Sequence, residues 1–167
     1  DIDADVIATA RENYATGGLT FEQADVLELE GTYDTVVSVE TIEHLPDGEA
    51  WAGHIAQNLL PSDGVAVIST RVRHGGCLDD TPENPFHVRE WSTQEFHSLL
   101  IGLFDHVEMY YQGFSQPPMD CPKLLKPLRR AVRYRRLATE PELPVLTPAE
   151  WFERAGFGPR YMMAVCT

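Results

Sequence analysis

Residues 33–45 read YDTVVSVETIEHL, which combines a candidate strand with a cluster of polar residues. Its first half, Tyr33 to Val39, is rich in β-branched residues and almost entirely apolar from Val36 onward. Such a run predicts a strand that is buried on both faces. Two glutamates and a histidine follow that strand directly. Because ligands bind at the carboxyl ends of the strands in an open α/β sheet, the same stretch marks a candidate site.

Helices and strands alternate on either side of this stretch. Apolar spacing predicts helices over residues 5–14, 47–60 and 92–103. Ser92 and Glu95 form a capping box at the start of the third helix. Further strands are predicted over residues 19–24, 65–70, 106–111 and 161–166. This alternation is typical of an α/β fold with a mostly parallel sheet that helices cover on both faces.

The chain has 167 residues, and we expect a single domain over residues 1–167. Residues of about 114–158 interrupt the alternation with a cluster of prolines, which predicts an insertion. Seven of the 13 Lys and Arg residues lie in a basic segment from Lys123 to Arg136. We expect this segment to form a solvated helix. Contact with an anionic partner, such as a phosphate-bearing substrate, a lipid headgroup or RNA, is the alternative.

Charge and cysteine content narrow the expected environment. The formal net charge is −13, and residues 1–70 contain 14 acidic residues against a single arginine. This charge disfavours non-specific nucleic-acid binding, so no DNA partner is expected. The three cysteines have no paired spacing, and no apolar run is long enough to span a membrane. We therefore expect a cytoplasmic protein without a transmembrane segment.

Four segments resemble, in order and spacing, the class I S-adenosylmethionine-dependent methyltransferases: DIDADVIATAR at 1–11, FEQAD at 21–25, YDTVVSVETIEHL at 33–45 and LLPSDGVAVIST at 59–70. The resemblance implies an enzyme with S-adenosyl-L-methionine as its cofactor. It also implies a Rossmann-like sheet of seven strands whose last strand is antiparallel. The family's first strand, the helix after it and a glycine-rich loop would precede Asp1. We therefore expect a partial methyltransferase domain, which leaves open whether this fragment is active alone.

The same resemblance assigns five cofactor-binding residues, which are Asp1, Ile2, Asp25, Val26 and Glu40. Asp1, followed by Ile2, matches the family's acid that binds the ribose hydroxyls, and a carboxylate can accept two hydrogen bonds from a diol. Asp25 matches the position that holds the adenine amino group, while Val26 offers its backbone N–H to the ring. Glu40 opens the loop that faces the reacting methyl group.

The pattern ExxEH over residues 40–44 is a candidate metal site or a candidate catalytic pair. If these residues form one helical turn, Glu40, Glu43 and His44 share a face. With His87 as a fourth candidate, the set can bind Mg, Mn, Fe or Zn. In the alternative without a metal, His44 acts as a general base or orients the substrate, with Glu40 beside it. A purely structural role is the third alternative.

An ExxEH followed by a later HxxEW, here His87 to Trp91, is similar to the small-RNA 2′-O-methyltransferases. The ubiquinone-pathway O-methyltransferases also carry an ExxEH in this loop. We therefore expect O-methylation of a small-molecule, sugar or lipid-linked hydroxyl, on an anionic acceptor if the basic segment caps the pocket. One alternative is a metal-dependent RNA ribose 2′-O-methyltransferase, which the acidic charge and the absence of a recognisable RNA module oppose. The other is a non-catalytic methyltransferase-like interaction domain.

Overall fold

The computed structural model describes residues 1–73, 82, 84–112 and 160–167. The predicted insertion at about 114–158, including the basic segment 123–136, lies outside these residues. Among the described residues, no helix is long and apolar enough to cross a bilayer.

A four-stranded sheet forms the centre of the described fold. Its strands are β1 (Thr35–Val39), β2 (Val65–Arg71), β3 (Val107–Gln112) and β4 (Tyr161–Cys166), in the order β1-β2-β4-β3. β1 pairs parallel with β2, and β4 runs antiparallel to both β2 and β3. Three strands therefore point the same way, and the last strand of the chain is the antiparallel one. The predicted α/β class and the antiparallel last strand are confirmed.

The three predicted helices are present as α1 (Ala4–Tyr14), α2 (Gly48–His54) and α3 (Thr93–Ile101). A π-helical turn, Ile55–Leu59, extends α2 almost to the predicted end. Side chains cap all three N-termini, and Ser92 with Glu95 completes the predicted capping box of α3. These caps satisfy backbone amides that the first turn of a helix leaves without partners.

A buried apolar cluster joins the helices to the sheet. α2 and its π-helical turn contribute the predicted stripe of Trp51, Ile55 and Leu59, which are at most 4% exposed. The indole N–H of Trp51 also donates to Ser38 Oγ at 3.1 Å, which ties α2 to β1. The connection between β1 and α2 is therefore anchored at both ends, and the candidate site lies on that connection.

The predicted strand over residues 19–24 is wrong, because these residues form no ladder. Asp1 lies beside them: Ala24 N–H donates to Asp1 O at 3.0 Å, and the Asp1 ammonium donates to Glu22 O at 3.2 Å. The guanidinium of Arg11 donates a hydrogen bond from Nη2 to Phe21 O at 2.6 Å, so this carbonyl already has a partner. A strand needs a repeating set of backbone bonds to a neighbour. Within the described residues, this segment makes only two such bonds, both to Asp1, and no repeating set.

The prediction that β1 is buried on both faces is also wrong. Val37 and Val39 are 62% and 61% exposed, whereas Ser38 between them is 4% exposed. β1 is the edge strand of the described sheet, and nothing in the described part of the chain covers the face that carries the two valines. Exposure that alternates along the strand is the pattern of a half-covered strand.

Candidate active site

The site begins at Glu40, where β1 ends. Glu40 has a φ of +50°, a left-handed conformation that residues with a Cβ disfavour. Ser69 holds it there: Ser69 Oγ donates to Glu40 Oε1 at 2.9 Å, and Glu40 N–H donates to Ser69 O at 3.2 Å. The parallel register pairs Val39 with Ser69, which brings Glu40, the residue after Val39, beside Ser69. Backbone strain of this kind persists only where neighbouring contacts enforce it, and it clusters at functional sites.

The single helical turn that the sequence predicted over residues 40–44 is shorter than expected. It covers only Ile42–His44, because a left-handed residue does not continue a right-handed helix. Glu40 therefore does not share a helical face with Glu43 and His44. Burial, followed by the neighbouring Glu43 carboxylate, raises the pKa of Glu40, while the hydrogen bond from Ser69 lowers it.

Glu43 is a fully buried carboxylate, 0% exposed. Its Oε2 accepts a hydrogen bond from Thr70 Oγ1 at 3.0 Å. Its Oε1 is buried and has no hydrogen-bond partner among the described residues. A buried carboxylate oxygen without a partner is costly. Glu43 Oε1 therefore marks a position where a cation or a donor group would be stabilised.

His44 is exposed, and its ring is oriented by a backbone carbonyl. His44 Nδ1 lies 2.9 Å from Phe86 O. Because a carbonyl oxygen can only accept, Nδ1 must carry the proton, and in the neutral ring Nε2 is left with its lone pair. His44 can therefore bind a cation or take up a proton through Nε2.

His87 lies on the loop of residues 84–90, and its side chain contacts that of His44. Its ring meets that of His44 edge-on, with centroids 4.8 Å apart. His87 Nδ1 lies 2.8 Å from Glu90 Oε1. The loop is fastened to the turn after β1, because the carbonyl of Glu43 accepts from Val88 N–H at 2.7 Å and from Arg89 N–H at 3.2 Å. Backbone bonds thus bring the distant His87 to the ExxEH turn.

Glu43, His44 and His87 form a cluster in which one ligand atom from each residue lies within 4.8 Å of the others. Metal–ligand bonds of about 2.0–2.2 Å place ligands on opposite sides of an ion about 4 Å apart, so small side-chain adjustments would close the cluster around a cation. Two imidazoles and one carboxylate are a ligand set that suits Zn, Fe or Mn and leaves coordination positions open. The orphaned Glu43 Oε1 fits the same interpretation.

The predicted cofactor residues lie at the ends of two neighbouring segments. The backbone bond between Ala24 and Asp1 joins the start of the chain to the segment that ends at Asp25. Asp25 Oδ1 accepts from Leu27 N–H at 2.9 Å and caps the short helix Val26–Glu28. Asp1 Oδ1 accepts from Asp3 N–H at 2.9 Å. Ile2 is 68% exposed. The backbone of Asp1 thus lies beside the residue before Asp25, and cofactor binding by these residues stays a prediction.

Sequence reasoning missed the polar residues that end β2. Ser69 positions Glu40, and Thr70 positions Glu43. The available signal was the polar pair that closes the apolar run VAVIST at the carboxyl end of a strand. Trp91 is 2% exposed and belongs to the buried apolar cluster. Arg71 Nε lies 3.5 Å from Glu90 Oε1.

Solved structures define the class of fold. A SAM-dependent methyltransferase from Archaeoglobus fulgidus superposes with a TM-score of 0.58 at 16% identity, over 99% of this chain and 73% of that one. The small RNA methyltransferase HEN1 superposes with a TM-score of 0.54 at 14% identity, over 86% of this chain and 15% of that one. At this identity the likeness shows the fold alone, which is Rossmann-like, as predicted.

The family follows from the sequence. A family model described as a methyltransferase domain matches residues 2–115, so the chain belongs to the methyltransferase-domain family. The resemblance to class I S-adenosylmethionine-dependent methyltransferases is thereby confirmed. A relative described as a probable S-adenosylmethionine-dependent methyltransferase, from Mycobacterium tuberculosis, is 35% identical over 105 residues, which cover 60% of this chain and 37% of the relative. The chain thus spans little more than a third of that relative's length.

Proposed function

We propose that the protein transfers a methyl group from S-adenosyl-L-methionine to a hydroxyl of a small molecule, a sugar or a lipid-linked glycan. The observation that carries this proposal is the cluster that Glu43 and His44, in the turn after β1, form with His87 from the loop of residues 84–90. In this sheet type, the loop at that strand end is where ligands bind. A methyl transfer to a hydroxyl needs either a base that accepts the hydroxyl proton or a cation that lowers the pKa of the hydroxyl. The cluster can supply either one.

The reaction breaks the sulfonium–methyl bond and forms an oxygen–methyl bond, while the hydroxyl loses its proton. A neutral hydroxyl is a weak nucleophile, so a general base or a cation beside it accelerates the step. In the neutral ring of His44, whose Nδ1 faces Phe86 O, the lone pair on Nε2 can accept the proton. Glu40, held by Ser69, follows the last residue of β1 and precedes the turn that carries His44.

We further propose that Glu43, His44 and His87 bind a divalent cation of the Zn, Fe or Mn type. The mixed nitrogen and oxygen ligands favour these ions over Mg, which prefers oxygen ligands alone. Such a cation, when bound, would lower the pKa of an acceptor hydroxyl. The chain's own contribution is to hold the three ligand atoms together and to orient both imidazoles. Glu40, the fourth residue predicted as a ligand, lies outside this three-residue cluster, and its Oε1 accepts from Ser69 Oγ.

Cofactor binding is proposed for Asp1, Ile2, Asp25, Val26 and Glu40. Asp1 would bind the ribose hydroxyls with Ile2 beside it, and Asp25 would bind the adenine amino group with the N–H of Val26 at the ring. Glu40 would face the methionine end. Carboxylates suit the first two positions because each can accept two hydrogen bonds from neighbouring donors.

Calorimetric titration with S-adenosylhomocysteine tests the cofactor site. Asp25→Asn should weaken binding by about 10-fold or more, because a hydrogen bond to a charged acceptor contributes about 1.5–3 kcal/mol. Asp63→Asn, in the exposed turn before β2, is the matched control and should bind as the wild type does. Equal binding by both variants would contradict the assignment. An absence of binding by the full-length wild-type protein would favour the non-catalytic interaction domain.

Labelled methyl transfer tests the acceptor class. The protein is incubated with S-adenosyl-L-methionine and a panel of sugar, phenol, amine and carboxylate acceptors, with and without a chelator, and the products are identified by mass spectrometry. The proposal expects methyl ethers and a loss of activity on chelation that Zn or Mn restores. Methylated amines as the main product would contradict it.

RNA ribose 2′-O-methylation is the second candidate. Two observations favour it: the ligand cluster, and the fold shared with a protein described as a small RNA methyltransferase. The net charge of −13 opposes it. Labelled methyl transfer to an oligoribonucleotide, compared with the same sequence lacking its 2′-hydroxyls, separates this candidate from the first.

A cytoplasmic location stays a prediction.

A further inference from the structure

We infer that Glu90 is a positioning residue, which sets the tautomer and the orientation of His87 so that Nε2 of His87 faces Glu43 and His44. The inference rests on the proposed function, because it concerns a residue of that same site. It goes beyond it in assigning a role to a residue that makes no contact with the cluster's centre and acts only through His87.

The contacts of Glu90 are specific and buried. Glu90 is 8% exposed, and its Oε1 lies 2.8 Å from His87 Nδ1 and 3.5 Å from Arg71 Nε. The His87 side chain is itself only 6% exposed. A carboxylate that is removed from water needs a charged partner and hydrogen-bond donors. Arg71 and His87 are the described residues that supply them.

The backbone beside Glu90 is held in place as well. Trp91, the next residue, is 2% exposed and forms a bridge with Val72 at the end of β2. Arg73 N–H donates to Trp91 O at 2.7 Å. The backbone that carries Glu90 is therefore fixed against the sheet. This limits the movement of the Glu90 carboxylate away from the His87 ring.

This arrangement selects one tautomer of His87. A guanidinium offers only donors, so Glu90 Oε1 faces Arg71 as an acceptor, and it lies within hydrogen-bond distance of His87 Nδ1 as well. His87 Nδ1 must therefore donate, and in the neutral ring the lone pair lies on Nε2. Partners of this kind, which fix the ring and tautomer of a ligating histidine, typically change metal affinity by about 10- to 100-fold when they are removed.

The same loop selects the tautomer of His44. His44 Nδ1 is bound to the carbonyl of Phe86, on the residue before His87. Residues 84–90 thus supply both acceptors, one from the backbone and one from the Glu90 side chain. Only the second can be altered by substitution without changing the course of the chain, which makes Glu90 the position where the inference can be tested.

Histidine side-chain nitrogen NMR on the metal-free protein tests the tautomer directly. The spectra are recorded at a pH where the histidines are neutral, and His87→Gln assigns the signal. We expect the proton of His87 on Nδ1 in the wild type. In Glu90→Gln we expect a mixture of tautomers, because a glutamine amide can donate as well as accept. A wild-type His87 protonated on Nε2 would overturn the inference, whether or not the variant folds.

Cobalt titration provides the second readout, with Co²⁺ as the probe and its visible spectrum as the signal. Glu90→Gln should weaken Co²⁺ binding by about 10- to 100-fold. Glu49→Gln is the control, because Glu49 is an exposed carboxylate paired with Arg89 on the same side of the molecule. Unchanged tautomer and unchanged affinity in Glu90→Gln would refute the role of Glu90. No Co²⁺ binding by the wild type would sink the metal site instead, and the NMR result would then decide the role of Glu90 alone.

Discussion

The imidazoles of His44 and His87 meet edge-on, with ring centroids 4.8 Å apart and an angle of 83° between the ring planes. Each ring is held through Nδ1 by an acceptor from residues 84–90, and each leaves Nε2 for the site. One residue comes from the turn after β1, and the other comes from a loop that enters after β2. The pair is therefore a product of tertiary packing.

Removing either imidazole should abolish most of the methyl transfer. We expect His44→Ala and His87→Ala to lower kcat by about 100- to 10,000-fold, the usual contribution of a proton-transferring group. The measurement is the rate of labelled methyl transfer to the best hydroxyl acceptor. His106→Ala is the control, since His106 is an exposed residue paired with Glu108. Near wild-type rates in both site variants would contradict the proposed role of the cluster.

Thr70→Val should destabilise the protein through Glu43. The substitution keeps the shape of the side chain but removes the hydroxyl that donates to the buried Glu43 Oε2. Because the other oxygen has no partner among the described residues, we expect a loss of about 1–3 kcal/mol in the free energy of unfolding, measured by urea denaturation. Thr20→Val, at an exposed position, should change stability little. Equal stability of the two variants would show that Glu43 does not depend on Thr70.

The capping box of α3 predicts a dependence of stability on pH. The hydrogen bond from Ser92 comes first among the causes that lower the pKa of Glu95 from 4.5 to about 2, and Arg73 adds to it. A carboxyl whose pKa is lowered by folding stabilises the folded state above its unfolded pKa and loses that effect as pH falls through the folded pKa. The effect is therefore fully present above pH 4.5 and fades toward pH 2.

Glu95→Gln tests this dependence. Because Glu95 is partly exposed, we expect the variant to be less stable by only about 1 kcal/mol at pH 7, a typical value for a helix cap. The difference from the wild type should shrink as pH is lowered from 4.5 toward 2. Denaturant unfolding at a series of pH values measures it, with Glu12→Gln on the exposed face of α1 as the control. A difference that is constant with pH would contradict the predicted role of the charge.

Two glycines of α2 predict opposite effects of the same substitution. A Cβ added at Gly48 would lie 2.7 Å from Ile42 Cγ1 and 2.8 Å from Ile42 O, whereas a Cβ at Gly53 meets nothing within 4 Å. Gly48→Ala should therefore destabilise the protein by about 1–3 kcal/mol. Gly53→Ala should stabilise it by about 0.5–1 kcal/mol, because alanine is the better helix residue.

Thermal unfolding of the two alanine variants measures both effects. Since Ile42 begins the turn that carries Glu43 and His44, Gly48→Ala should also weaken Co²⁺ binding while Gly53→Ala leaves it unchanged. A Gly48→Ala protein as stable as the wild type would show that α2 does not pack closely on this turn.

Local patterns predicted much of the fold correctly. The apolar run of β2, the stripe of Trp51, Ile55 and Leu59, and the Ser92–Glu95 capping box all appear where the sequence indicated them. These features depend on residues that are near one another in the chain, so their spacing carries the information. The ExxEH pattern likewise follows the end of a strand, as predicted, because a β-branched run followed by acidic residues is recognisable without its neighbours.

The remaining features depend on segments that are far apart in the chain. Residues 19–24 form no ladder, and one face of β1 is exposed. Both features depend on which other segments pack beside them, and the spacing of residues within a segment does not reveal this. The left-handed Glu40 depends on Ser69, and the orientation of His87 depends on Glu90 and Arg71. Residue types and order thus settled the family and the candidate ligands. Packing alone settled which atoms of those ligands face one another, because long-range hydrogen bonds select the backbone conformation and the histidine tautomers.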